Sequence, residues 1–260
     1  MTQYTISFVG AGRVAGALCR ELYSAGHIIN LIVSESADSG LSLATECCAG
    51  WSDKLKFSGK HDVIIVAVPD HSLHDVLVEI GCDPETLVVH TAGSFGTDIF
   101  PVSIAKKGVF YPLQTFTAGR KLVFNDLPFF IESNGDESEE LLINLVESIG
   151  AKVYESDPVQ RRKIHLAAVF ANNFSNHMLV SAKQIASEAG FSFEVLAPLI
   201  TETFSKALAA GPENSQTGPA VRNDFNTIEK HLELLAYSPR LNRLYGEVTQ
   251  SIIDNNKKQL

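Results

Sequence analysis

The chain has 260 residues, with 30 acidic and 21 Lys/Arg side chains and a net charge of −9. No local Lys/Arg cluster offsets that charge, so neither a nucleic acid nor a membrane surface is an expected partner. Hydrophobic content of 45% with 20% charged residues is ordinary for a globular chain, long enough for one large or two modest domains.

The stretch Tyr4 to Ala17 sets the organisation. An apolar β-branched run ends in a glycine turn, and an Ala/Leu-rich helical run follows. Gly10, Gly12 and Ala15 fit the dinucleotide-binding spacing G-x-G-x-x-[GA]. Gly10 permits the tight turn, Gly12 lets backbone approach a pyrophosphate, and Ala15 or Gly16 keeps the helix close to the strand. The free N–H groups and dipole of that helix start would hold the phosphates, with Arg13 and Val14 in its first turn.

The helix places Leu18, Leu22 and Ala25 on one face and stops at Gly26. A second strand, 28–33, leads to Ser34, Glu35 and Ser36, where the adenosine ribose lies in such folds. Glu35 points to NAD, whereas Ser34, Ser36 and Arg13 suit the 2′-phosphate of NADP. A short helix is expected over 41–49. The apolar run 63–68 reads as a parallel strand covered on both faces, ending at Val68-Pro69-Asp70. A helix is expected over 72–80 and a strand over 87–90, whose trailing Thr91, Ala92 and Gly93 suit a close nicotinamide ribose. Strands over 109–116, 128–132 and 152–154 and an amphipathic helix over 138–149 complete a doubly wound parallel sheet.

After Asp157-Pro158 the strands stop. Helices are expected over 159–190, 193–210, 224–235 and 241–255. The organisation is therefore a dinucleotide-binding α/β domain, 1–157, followed by an all-α domain, 158–260, with substrate in the cleft between them.

Two stretches of the second half carry chemistry. In His165 to Asn173, an α-helical wheel brings Asn172 to within about 20° of His165 and leaves Asn173 about 80° away. A histidine can protonate the oxygen formed when hydride reaches a carbonyl carbon, and an Asn can orient substrate. In Thr217 to Asp224, Arg222 can clamp a carboxylate, while Asn223 or Asp224 can cap the next helix. His71 and His74 have no converging acids or cysteines, so no metal is expected. Cys19, Cys47, Cys48 and Cys82 lack C-x-x-C spacing and read as reduced thiols of a cytoplasmic protein.

These residues together resemble the uncharacterised Rossmann-like NAD(P) oxidoreductases whose helical C-terminal half is a domain of unknown function. The resemblance runs almost end to end. It rests on Gly-Ala-Gly-Arg-Val-Ala, Val-Pro-Asp, His-Thr-Ala-Gly, Tyr-Pro-Leu-Gln-Thr-Phe, the segment 165–173 and Thr-Gly-Pro-Ala-Val-Arg-Asn-Asp. More distantly the chain is similar to pyrroline-5-carboxylate reductases, β-hydroxyacid dehydrogenases and deazaflavin-dependent NADP oxidoreductases. The resemblance implies an NADP or NAD cofactor and a homodimer built through the helical domain. Relatives carry Arg at the position of Glu35 and His at that of Tyr111. The Lys-x-x-x-Asn pair of β-hydroxyacid dehydrogenases is not reproduced, so a β-hydroxyacid substrate does not follow.

The expected protein is a cytoplasmic oxidoreductase moving hydride between NAD(P) and a small carbonyl or imine compound. Gly10, Gly12, Arg13, Val14, Ser34, Glu35, Val68, Pro69 and Thr91 would hold the cofactor. His165 would do acid/base work, with Tyr111 as the rival proton donor. Asn173 and Thr217 would orient the substrate, and Arg222 would bind an anionic group on it. The alternative is a non-catalytic NAD(P)-binding redox sensor. A flavin or deazaflavin hydride donor is a third reading.

Overall fold

The first strand, β1 (Thr5–Val9), is buried along most of its length and feeds the glycine turn into α1 (Arg13–Ser24). A computed structural model describes residues 2–258. The chain continues through β2 (Ile28–Val33), α2 (Ala37–Glu46), β3 (Gly50–Ser52), β4 (Val63–Val66), α3 (Asp70–Glu79), β5 (Leu87–His90), β6 (Lys107–Pro112), β7 (Pro128–Ser133), α4 (Asp136–Ser148) and β8 (Lys152–Glu155). These strands form one eight-stranded sheet in the order β3-β2-β1-β4-β5-β6-β7-β8.

Alternation along the strands builds a core on each face, as the two-residue period of a strand requires. Ile6, Phe8, Val63 and Ile65 face one way and pack with Leu18, Leu22, Leu142 and Leu145 of α1 and α4. Val9, Ile64, Val66 and Val88 face the other way and pack with Leu73 and Leu77 of α3. Burial on both faces accounts for the unbroken apolar run of β4.

The doubly wound sheet departs from a wholly parallel one at its far side. Strands β1 to β6 run parallel, but β7 pairs antiparallel with β6. Residues 113–127 contain no helix to carry the chain back across the sheet, so it turns and β7 runs in reverse. The α4 crossover then makes β8 parallel to β7.

Beyond β8 the described elements are helical: α5 (Pro158–Ala168), a π turn (Val169–Phe174), α6 (Ser175–Glu188), a 3-10 turn (Phe193–Leu196), α7 (Ala197–Ala210), α8 (Pro212–Ser215), α9 (Phe225–Leu234) and α10 (Pro239–Lys258). The helix expected over 159–190 is thus interrupted, and that expected over 193–210 begins as a tighter turn. The expected helix over 41–49 starts earlier, at Ala37, with Ser36 as its N-cap. The short β3 was not expected. Asp224 is the N-cap of α9, where its Oδ1 accepts from Thr227 N at 3.1 Å. Asp157 caps α5 with a complete capping box.

The chain divides into two compact units, one ending at Asn173 and one beginning at Phe174. Helix α5 therefore belongs with the sheet. No helix among the described residues is long and apolar enough to cross a membrane.

Candidate active site

Parallel strands β1, β4, β5 and β6 bring their carboxyl ends to one edge, and the glycine turn lies there. Gly10 has φ +102, and a Cβ built on it would stand 2.4 Å from Ala67 O. Only glycine fits. Its N–H donates to Val33 O at 2.7 Å, which seats the turn between the ends of β2 and β4. Gly12 is the N-cap of α1 and has open space where a Cβ would be.

The start of α1 has no side-chain cap and no acid in its first turn. Helix α4 by contrast carries Asp136, Glu137 and Glu139 in its first turn. The positive end of the α1 dipole is thus uncompensated, with Arg13 exposed beside it and Val14 half-buried. Free N–H donors, an absent side chain and a cation fit a pyrophosphate. Val68 and Pro69 leave β4 at the same edge, and Thr91 N donates to Val66 O at 3.1 Å.

Ser34 has a different part from the one expected of it. It is buried, its Oγ accepts from Trp51 Nε1 at 3.0 Å, and it donates to Ser36 O at 2.8 Å. Gly40 makes this possible, since a Cβ there would lie 2.2 Å from both Ser34 Oγ and Trp51 Nε1. The hydroxyl closes the turn between β2 and α2, while Glu35 beside it is exposed.

At the end of β6, Tyr111 Oη lies 2.9 Å from His165 Nδ1 on α5, with the two rings edge to face. Gly93, after β5, packs against both. A Cβ there would stand 2.7 Å from Tyr111 Cζ and 2.8 Å from His165 Nδ1. Burial, and secondarily the charge of Asp70, pushes the Tyr111 phenol up to about 12, so it stays protonated at neutral pH. The expected rivals for proton transfer are therefore hydrogen-bonded partners. Tyr111 was singled out only by the family resemblance, as the position where relatives carry His, and its pairing with a residue 54 positions away was not legible.

The π turn breaks the expected relation of Asn172 to His165. An i→i+5 turn carries an extra residue, so an α-helical wheel does not hold past Val169. Asn172 and Asn173 are both exposed. Thr217 and Arg222 belong to the second unit, where both are exposed; the Asp224 carboxyl is held down by the hydroxyl and N–H of Thr227 and, to a lesser degree, by the charge of Arg222.

The loop after β5 is fixed from beneath. His90 is fully buried and stacks on Phe100. Its Nδ1 accepts from Ala92 N at 3.2 Å, which leaves Nε2 to donate to Gly96 O at 3.3 Å. Burial pushes its pKa down to about 4, so the imidazole is neutral. The charge of Arg161 also opposes protonation. An open pocket of about 590 Å³ lies at the opposite edge of the sheet, lined by Lys60, Asp62, Glu85 and Lys106. It is remote from the glycine turn, and its Lys106 is already paired with Glu85 at 2.9 Å.

An eight-stranded, mostly parallel sheet with an uncapped glycine turn at its crevice defines a Rossmann-type dinucleotide-binding protein. Residues 5–93 match the family described as NADP oxidoreductase, coenzyme F420-dependent, and residues 127–252 match a domain of unknown function, DUF2520. A solved structure assigned as an NADP oxidoreductase from Bacteroides fragilis is 35% identical, over 97% of this chain and 98% of its own, with a TM-score of 0.87. The chain belongs to this family of NADP oxidoreductases with a DUF2520 C-terminal domain. No curated protein matches it. An imine reductase from a Pseudomonas species shares the fold at 17% identity over 98% of this chain and 93% of its own, with a TM-score of 0.65. So does a reductive aminase from Aspergillus terreus, solved with NADPH and ethyl-5-oxohexanoate, at 13% identity over 99% and 93% and a TM-score of 0.62.

The His90 site generates a pH prediction. Its folded pKa of about 4 lies below the ordinary 6.5, so the unfolded chain binds the extra proton between those values. The stability from neutral His90 is complete above pH 6.5 and is lost as the pH falls toward 4, on the order of 3 kcal/mol in all. Urea unfolding at a series of pH values should show this limb, and His90→Gln should flatten it; equal slopes in the two proteins would assign the limb to other groups.

Proposed function

We propose that the chain is an NADP(H)-dependent oxidoreductase acting on a small carbonyl or imine compound, with Tyr111 and His165 as its proton relay. The observation that carries this reading is the 2.9 Å contact between Tyr111 Oη and His165 Nδ1, on the sheet whose carboxyl edge also bears the open, uncapped start of α1. The family's cofactor supports NADP, and two proteins of this fold that bear imine or amine chemistry in their names support the substrate class.

A bound nicotinamide supplies or takes up the hydride. The chain's own residues handle the rest. Gly10 and Gly12 give the pyrophosphate room, and the N–H groups at the start of α1, with Arg13, hold it. Val68, Pro69 and Thr91 line the path toward the nicotinamide end. In the reducing direction, Tyr111 Oη gives its proton to the oxygen or nitrogen that gains electron density, and His165 Nδ1 returns one to Tyr111. Gly93 leaves the relay flush with the loop surface. Asn173, at the end of the first unit, is assigned to orienting the substrate. Glu35 weakens NADP relative to NAD by setting a negative charge beside the ribose position.

The reading includes a homodimer through the second unit. Met178, Val180 and Ile185 of α6 and Leu199, Phe204 and Leu208 of α7 are all exposed. That is more apolar surface than a lone helical unit ordinarily leaves in water.

Three outcomes are expected. With a panel of imines, ketoacids and aldehydes, Tyr111→Phe and His165→Gln should each lower kcat for reduced-nicotinamide consumption by about 10²-fold; full turnover by either variant would remove that residue from the relay, and no turnover by the wild type across the panel would favour a sensor. Titration of Trp51 fluorescence with NADPH and NADH should show that Glu35→Arg tightens NADPH on the order of tenfold and leaves NADH nearly unchanged. Sedimentation should find a dimer that Leu199→Glu or Phe204→Glu converts to monomer.

A further inference from the structure

We infer that Arg161 is the positioning residue of the Tyr111–His165 pair, its buried guanidinium tying α5, β7 and the loop after β5 into one arrangement. The inference rests on that pair being the proton relay proposed above.

Arg161 is fully buried, the largest side chain of the described residues to be so. Its Nη2 donates to Phe95 O at 2.7 Å, and its Nη1 lies 2.7 Å from Glu132 Oε2. The other carboxylate oxygen, Glu132 Oε1, accepts from Thr97 Oγ1 at 2.8 Å and from Thr97 N at 3.4 Å. The loop also packs on the first turn of α5, where a Cβ on Gly96 would stand 3.1 Å from Pro158 Cγ. Three segments distant in sequence thus meet at one guanidinium.

Geometry links this cluster to the relay twice. Arg161 and His165 are one turn apart on α5 and share a face. The loop held at Phe95 and Thr97 contains Gly93, the backbone against which both Tyr111 and His165 pack. A shift of α5 relative to that loop would move the imidazole across the phenol.

Stability alone does not account for the arrangement. A buried ion pair returns little of its desolvation cost, and apolar side chains of like volume often serve packing as well or better. Arg161 Nε and Nη1 and Glu132 Oε2 have no hydrogen-bond partner among the described residues, so the Nη1–Oε2 approach is an ion pair without hydrogen-bond alignment, a further cost. What a guanidinium supplies is direction, because its donors lie in one rigid plane. Its Nη2–H is aimed at the Phe95 carbonyl, which sets the angle of α5 to that loop, while the charge of Glu132 draws the same guanidinium toward β7.

The test needs no substrate. In the full chain labelled with ¹⁵N-histidine, His165→Gln assigns the His165 signals, and Tyr111→Phe defines where its Nδ1 resonance falls without the hydrogen bond. Arg161→Met and Glu132→Gln should each move that resonance most of the way from its wild-type position to its Tyr111→Phe position, with the far-UV circular dichroism unchanged. A merely structural Arg161 would lower the thermal midpoint and leave the resonance where it is in the wild type, which would overturn the inference. If Arg161→Met does not fold, Glu132→Gln decides by the same criterion. If Tyr111→Phe itself leaves the resonance in place, the pair is not hydrogen-bonded, and the relay falls together with the inference built on it.

Discussion

The carboxyl edge of the sheet depends on how closely Gly10 approaches the carbonyl of Ala67. A Cβ at Gly10 would lie 2.4 Å from that oxygen, and the φ of +102 is itself unfavourable for a side chain. Any other residue would push the turn away from the end of β4. The start of α1 would move with it, and so would its N–H donors. Because β1 sits between β2 and β4, this is where the strand order reverses and a crevice opens. Parallel pairing of β4, β5 and β6 then brings Pro69, Thr91 and Tyr111 to the same edge as that crevice.

The site's chemistry is built over a buried polar layer, in contrast to the apolar clusters on the two faces of the sheet. Neutral His90 braces the loop at Ala92 and Gly96, while Arg161 and Glu132 brace it at Phe95 and Thr97. Apolar contacts carry most of the folding free energy but are nondirectional. Hydrogen bonds to a planar imidazole and a planar guanidinium are directional, and these hold Gly93 against Tyr111 and His165. The division of labour is physical: packing sets how firmly the unit holds together, and the polar layer sets the angles at which Tyr111 and His165 meet.

Features that depend on local rules were legible residue by residue. Gly10, Gly12 and Ala15 declared the turn, and Asn223-Asp224 announced the start of α9, because short-range sterics and capping act over a few residues. The wheel relating Asn172 to His165 failed because nothing in Val-Phe-Ala-Asn-Asn-Phe announces a π turn. Ser34 looked free to meet a ribose, since its partner Trp51 lies on a strand too short to carry a periodic signal. Nothing in Gln-Arg-Arg-Lys distinguishes Arg161 from Arg162 and Lys163, yet it is the one of the three basic residues that is buried.

The sequence by itself determined the class of fold, the glycine turn and the family resemblance, because strand and helix periods and the glycine spacing are written in consecutive residues. Only the tertiary structure decided that β7 and β8 run in reverse, that Ser34 is spent on Trp51, and that Tyr111 meets His165. Each of these depends on which distant segments come to lie side by side, and that choice belongs to the packing of the whole sheet unit.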